Sequence, residues 1–451
     1  MASLNDDRVE LGASLLSQAR ECAVPKVNLE AHEGLRGAAA CWVMLFHCFL
    51  RSIDPIDFQG SSLMPLFFLL SGFTLSVVYG DLSPDKDRGF VRNRLVRVSP
   101  VYLLLSFAVS LPLWLQGFGD AAPTYTQALV GSVVTTLTFT STAFCFLLGS
   151  PLDGPSWTVQ TLLVMWLFFP LAMRRARRMP TESLATWIVS LYWLQLALIF
   201  VLFFVLFPFA GFWPAFATAT MNPASRLPVF LMGVYAGELC RRGEVGSVWP
   251  RGVVLPFVCC SSSLATAAKM NKSNDTSLDE EGWTARAFWQ ATGLLCVTLL
   301  VAVVDKTVQL CGLSSVGIVG AVWFQALVPF AQLELIVALT QHRGTSLLHR
   351  LLTTDMAKLL GRISMTVYLL HYQVIYFFCF ALHGFQPLSW PTGSSRSPAG
   401  QEGKTDDEVN TWARARELPL WCVPVVAVVS IGVATIIFYF FEEPIRRKLR
   451  S

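Results

Sequence analysis

The sequence predicts an all-α, polytopic transmembrane helical bundle of about 10 crossings with one or two re-entrant segments. Three observations carry this. Of 451 residues, 54% are hydrophobic and only 14% are charged, against about 25% charged in an ordinary soluble domain. Mean hydropathy is +0.53. Apolar runs of roughly 17–25 residues, long enough to cross a bilayer, recur from residue 35 to residue 441 with basic clusters between them.

The formal net charge of +4 is small, and its carriers sit beside helix ends, so it reports topology and not nucleic-acid binding. The 11 cysteines lie mostly inside apolar segments, as Cys41, Cys145, Cys296 and Cys379 do, and read as small packing residues. Residues 1–33 form a polar cytoplasmic tail with no cleavable apolar core, and 34–448 form one integral-membrane domain.

In order, the first helix is expected over about 35–52 and the second over 61–80. Lys86, Arg88, Arg92, Arg94 and Arg97, opposed only by Asp87, mark the next loop as cytoplasmic, and with it the N-terminus. A third helix, 99–117, returns outward. The Thr-, Ser- and Gly-rich stretch 126–148 is assigned a re-entrant or surface role, so that 157–173 crosses to the basic Arg174–Arg178. Helices follow at 184–207 and 226–240. The region 252–341 holds three apolar segments, 252–269, 285–304 and 310–341, whose crossings the sequence leaves open. Sequons at Asn271 and Asn274 would put 270–284 outside. A helix at 363–384, a flexible loop at 391–411 and a helix at 419–441 complete the chain, which ends in a basic cytoplasmic tail. No internal repeat is visible, which weighs against repeat-built transporter folds.

Polar residues inside these runs are the candidates for chemistry, because an ionisable group held in a membrane is costly. Arg36 and His47 are separated by eleven positions, about three turns, so they share one helix face about 16 Å apart. This stripe joins a boundary cation to a buried imidazole. Without a reaction, His47 would be a packed histidine and Arg36 a boundary arginine reaching for phosphates. Arg94 and Arg97 open the third helix, either as an inner-face anchor or as an arginine cradle for phosphate. Ser71-Gly72 reads as a close helix contact. His371 is a second buried histidine, and Gln160 and Glu334 are further polar groups in apolar runs.

Taken in order, these motifs resemble the acyltransferase 3 family of integral-membrane acyltransferases, which includes bacterial polysaccharide O-acetyltransferases. The family's arginine, ten residues, histidine pattern matches Arg36 to His47. Its Phe-Phe-(apolar)-Ser-Gly-Phe pattern matches Phe67 to Phe73 with one extra residue. Its Arg-(apolar)-Pro-x-Tyr pattern matches Arg97 to Tyr102. Ser156-Trp157 and Phe169-Pro170, Gly361 to His371, and Glu442, Pro444 and Arg446 match further motifs. Two positions depart: Leu162 stands where the family usually has glutamate, and Met365 where it has tyrosine. Gln160, Asp153 or Glu334 are the candidates to replace that acid.

The resemblance implies an acyltransferase moving groups other than amino-acyl groups, most often O-acetylation of a carbohydrate or lipid-linked hydroxyl. Acyl-CoA, most often acetyl-CoA, is the expected co-substrate, held by Arg36, Arg97 and Arg94 at the cytoplasmic face, with membrane lipid as surroundings. His47 is the expected general base, and His371 a second base or its orienting partner. No metal is expected: the 6 histidines are scattered and none pairs at ligand spacing within one apolar segment. The alternative is a non-catalytic transporter or flippase-like protein using the same polar funnel.

Overall fold

The computed structural model describes residues 27–52, 60–116, 123–142, 152–210, 212–244, 325–341, 347–383 and 418–450. Helix α1 (Glu30–Ser52) starts where the Asn28 side chain accepts from the Glu30 N–H at 2.9 Å, a side-chain cap for an otherwise orphaned donor. Glu30 and Glu33 occupy its first turn, where the helix dipole favours carboxylates. Glu30–Glu33 therefore belong to the first helix and not, as the sequence suggests, to the tail.

Helix α2 is Met64–Tyr79 and α3 is Asp87–Leu103. The latter continues through π-helical Leu104–Ser110 into α4 (Leu111–Gln116). The basic stretch read as a loop is thus helical. Its chain turns at Ser83-Pro84, where Ser83 is extended and Pro84 opens the 3-10 turn before α3. Helix α5 (Pro123–Thr138), in the stretch assigned a re-entrant or surface role, has 16 residues and falls short of a full crossing. Then come α6 (Trp157–Arg178), α7 (Thr181–Ala210), α8 (Phe212–Met221) and α9 (Pro223–Arg242). Asn222 caps α9 by accepting from the Ala224 N–H at 2.8 Å, and Gly243 closes it in the left-handed region at φ 72°. The remaining helices are α10 (Pro329–Gln341), α11 (Leu347–Leu352), α12 (Asp355–His383) and α13 (Cys422–Ile437). Phe438–Glu442 are π-helical and lead into α14 (Glu443–Arg450). Segments 252–269 and 285–304, both sequons and the loop 391–411 lie outside the described residues.

Among the described residues 4 stretches are long and apolar enough to cross a membrane: Gly154–Arg178, Thr181–Phe209, Asp355–Leu382 and Cys422–Lys448. Phe204, Phe209, Val428 and Phe440 point their apolar side chains outward, which suits lipid and not water. The five described cysteines, Cys41, Cys48, Cys240, Cys379 and Cys422, form no disulfide among the described residues.

Two close helix contacts build the core. Along α2 and α9, a Cβ on Gly72 would lie 2.2 Å from the Phe230 carbonyl oxygen, and one on Gly233 2.3 Å from that of Leu69. The Ser71-Gly72 contact expected from sequence is therefore made, with Gly233 as its counterpart. The obstructing atoms are backbone, so a side chain there must push the helices apart. Gly233→Leu is expected to lower stability by about 3 kcal/mol or more, read as a fall in melting temperature in detergent. Gly432→Ala, where a Cβ meets nothing within 4 Å, should leave it unchanged or higher.

The second contact joins α1 to α12. A Cβ on Gly37 would lie 2.5 Å from the Gly361 nitrogen, and one on Gly361 2.2 Å from the Glu33 oxygen. The ends of α3, α6 and α9 are tied by charge. Arg174 pairs with Asp87 at 2.6 Å, and Glu238, buried at the end of α9, accepts from Arg241 and Arg242. Arg242 also donates to the Ala176 and Met179 carbonyls at 2.9 and 3.0 Å, satisfying the orphaned end of α6.

Candidate functional site

The site grows out of the α1–α12 contact. Arg36 donates from Nη2 to the Gly361 carbonyl at 3.0 Å and from Nε to Ser364 Oγ at 3.2 Å. His47 meets His371 farther along the same two helices, Nδ1 to Nε2 at 3.0 Å with ring centroids 4.9 Å apart. Gly37 to His47 and Gly361 to His371 are both ten-residue steps. The helices therefore run parallel and in register, and the glycine contact that lets them touch at one end sets the histidine contact about 15 Å away.

The hydrogen bonds assign the tautomers. His371 Nδ1 lies 3.3 Å from the Val367 carbonyl and His47 Nδ1 lies 3.0 Å from that of Val43. One arrangement satisfies all three contacts. His371 Nδ1–H donates to Val367, and His47 Nδ1–H is shared between Val43 and the lone pair of His371 Nε2. Nε2 of His47 then carries the basic lone pair. The reverse arrangement would set lone pairs against two carbonyls. His371 is fully buried and His47 partly so; Tyr368 and Tyr372 flank the rings, with centroids 5.9 Å from His371 and 5.8 Å from His47 respectively. An imidazole oriented through Nδ1 by a fixed acceptor, with its lone pair on the other nitrogen, is the arrangement of a general base.

At the other end of the α1–α12 contact lies a basic cluster. Arg36, Arg94 and Arg446 surround Arg97, with Glu442 as the nearest opposing charge. Glu442 is buried on the π-helical turn and accepts from Thr366 Oγ1 at 2.8 Å. Arg446 pairs with Glu443, and Arg94 donates to the Tyr79 hydroxyl at 2.6 Å while lying over the Phe90 ring. The Arg97 guanidinium is enclosed among these groups. Its enclosure first, and then its three guanidinium neighbours, hold its pKa below the ordinary arginine range. A cluster with more positive than negative charge, partly shielded from water, is suited to hold an anion.

The sequence points to Arg36, Arg94, Arg97, His47 and His371; the structure brings the three arginines together at one end of the α1–α12 contact and the two histidines together at the other. It misses Arg446 and Glu442 as members of the cluster, although both stand in the terminal motif. Leu162 is buried on α6 and contributes no acid. Gln160, two residues earlier, donates to the Tyr102 hydroxyl at 3.0 Å, and Asp153 is buried at the start of α6.

A family model described as an acyltransferase domain matches residues 30–439, nearly the whole chain. No curated protein and no solved structure matches.

Proposed function

Since the chain belongs to the acyltransferase family whose model it matches over residues 30–439, we propose that it is a membrane-embedded enzyme moving an acetyl or other acyl group from acyl-CoA to a hydroxyl of a carbohydrate or lipid-linked acceptor. Its termini and the basic cluster face the cytoplasm, where acyl-CoA is found, and the whole domain makes about 10 crossings. One observation carries the reading: a histidine pair and a four-arginine cluster lie at the two ends of the α1–α12 contact.

The phosphates of the donor bind Arg97, Arg94 and Arg446, with Arg36 fixing the floor through Gly361 and Ser364. The thioester arm extends along α1 and α12 toward His47. The acceptor O–H gives its proton to His47 Nε2 as its oxygen bonds to the thioester carbonyl carbon. The C–S bond then breaks, and the proton returns from His47 to the departing sulfur, which leaves as free thiol. His371 Nε2 accepts from His47 Nδ1–H throughout and stabilises the imidazolium between the two transfers. This gives the base an orienting partner without the family's glutamate.

The test is thiol release from acetyl-CoA and longer acyl-CoAs by purified protein, with a carbohydrate and lipid extract as acceptor. Release that depends on the extract supports acyl transfer. Its absence from folded protein, with all donors, would turn the reading toward a transporter, which relocates a substrate and frees no thiol.

A further inference from the structure

The buried stripe of α13 runs through Val426, Ser430, Ala434 and Phe438 and ends on a carboxylate, Glu442. The chain widens there: Phe438–Glu442 are π-helical, and the Glu443 N–H donates to the Phe438 carbonyl five residues back. Pro444 accounts for the widening, because it has no N–H for the Phe440 carbonyl and its ring crowds that oxygen. π-Helical turns are frequent at functional sites, and this one delivers an acid, 5% exposed, to the arginine cluster.

Three arginines lie within the electrostatic reach of that acid: Arg97, Arg446 and Arg36. The neighbouring acids each serve one member of the cluster, Glu443 by pairing with Arg446 and Glu33 by opposing Arg36. Glu442 is held in place from α12, where Thr366 Oγ1 donates to it at 2.8 Å. Thr366 is fully buried, two residues beyond Ser364, which accepts from Arg36, and five before His371. One stretch of α12 therefore positions an arginine, the acid and a histidine.

A mere tie between the end of α13 and α12 needs only a group that accepts from Thr366, and an amide oxygen would serve. A carboxylate instead adds negative charge where phosphate is to bind. We propose that Glu442 is the built-in counter-ion of the arginine cluster: it balances the arginines before the donor arrives and weakens their hold on phosphate, so that product coenzyme A can leave. Donor and product carry the same phosphates. A cluster with no opposing acid would grip both alike, and binding shared by substrate and product does not raise turnover. Glu442 acts through the arginines and is a positioning residue. The identity of the anion rests on the acyl-transfer reading; the charge balance rests on the cluster's own groups.

The experiment uses the full chain in phosphatidylcholine nanodiscs, with coenzyme A and pyrophosphate as binding probes. Glu442→Gln keeps the shape and the Thr366 bond and removes the charge. It is expected to bind both anions about tenfold more tightly, to lose affinity more steeply with added salt, and to melt at a lower temperature without ligand. In turnover, KM for acyl-CoA and kcat should fall together as release slows. A structural tie predicts a lower melting temperature with unchanged or weaker anion binding. That result in folded Glu442→Gln, or no binding of either anion to the wild type, overturns the counter-ion. If Glu442→Gln does not fold, Glu442→Asp, which draws the charge back by one methylene, is read in its place: tighter binding is expected, and equal or weaker binding overturns the proposal. The two readings fail separately. Tighter binding in a protein that releases no thiol removes acyl transfer and leaves the counter-ion, and His47-dependent thiol release with anion binding unchanged by Glu442→Gln does the reverse.

Discussion

Thiol release by the His47→Ala protein is expected to fall about a thousandfold, the effect of removing a positioned base from a proton transfer. The residual rate is that of donor and acceptor held together without a base. His371→Ala keeps the base but removes the acceptor 3.0 Å from its Nδ1. Its ring then turns toward Val43 alone, and the loss is expected to be smaller, about tenfold. The double variant should be no worse than His47→Ala, because His371 acts only through His47. A merely structural pair would instead lose stability in step with activity, so melting temperature is measured beside turnover. Wild-type turnover in folded His47→Ala would sink the general-base assignment.

Why the sequence shows both histidines but not their contact is a matter of range. The Arg36–His47 stripe is local: helical period places it on one face without knowledge of the rest of the chain. The contact with His371 spans 324 positions and depends on Gly37 and Gly361 letting two backbones approach, a registration no local pattern encodes. Ser71-Gly72 announces a close contact, but its counterpart, Gly233, is indistinguishable in sequence from Gly89 or Gly432, where a Cβ would meet nothing within 4 Å. The sequence starts α1 several residues late because Glu30 and Glu33 look like tail residues, while Asn28, two positions before Glu30, is the available capping signal. Arg446 and Glu442 are visible as a motif and absent from the expected site. Their role depends on the chain's last helix returning beside α3, and charge alone at a helix end reads as topology.

The same limit applies to the missing glutamate. Leu162 is identifiable from sequence as a departure, but its surroundings are not. In the structure His47 Nδ1 lies 3.0 Å from His371 Nε2, and a buried acid, Asp153, stands at the head of helix α6. Of the three candidate replacements, Asp153 is the one whose carboxylate oxygens are both buried and unpartnered among the described residues.

Arg97→Gln is expected to raise KM for acyl-CoA by about tenfold to a hundredfold while changing kcat less. Arg97 stands among Arg36, Arg94 and Arg446 with only Glu442 opposing nearby, whereas Arg36 is engaged with the Gly361 carbonyl. In the proposed donor site the binding capacity of Arg97 is directed to a ligand, and removing a charged hydrogen bond to phosphate at a shielded site costs about 1.5–3 kcal/mol. Salt should separate this from a packing defect: added salt raises the wild-type KM by screening, and the dependence should be shallower in the variant. Stability gives a second, opposite sign. A base whose pKa is lowered by the fold is disfavoured in its charged form, so at neutral pH Arg97 destabilises the unliganded protein. Arg97→Gln is thus expected to melt at the same temperature as the wild type or higher without ligand, and to gain less from added coenzyme A. A structural arginine predicts the reverse, a lower melting temperature with unchanged KM, and that pair of results would remove Arg97 from the donor site.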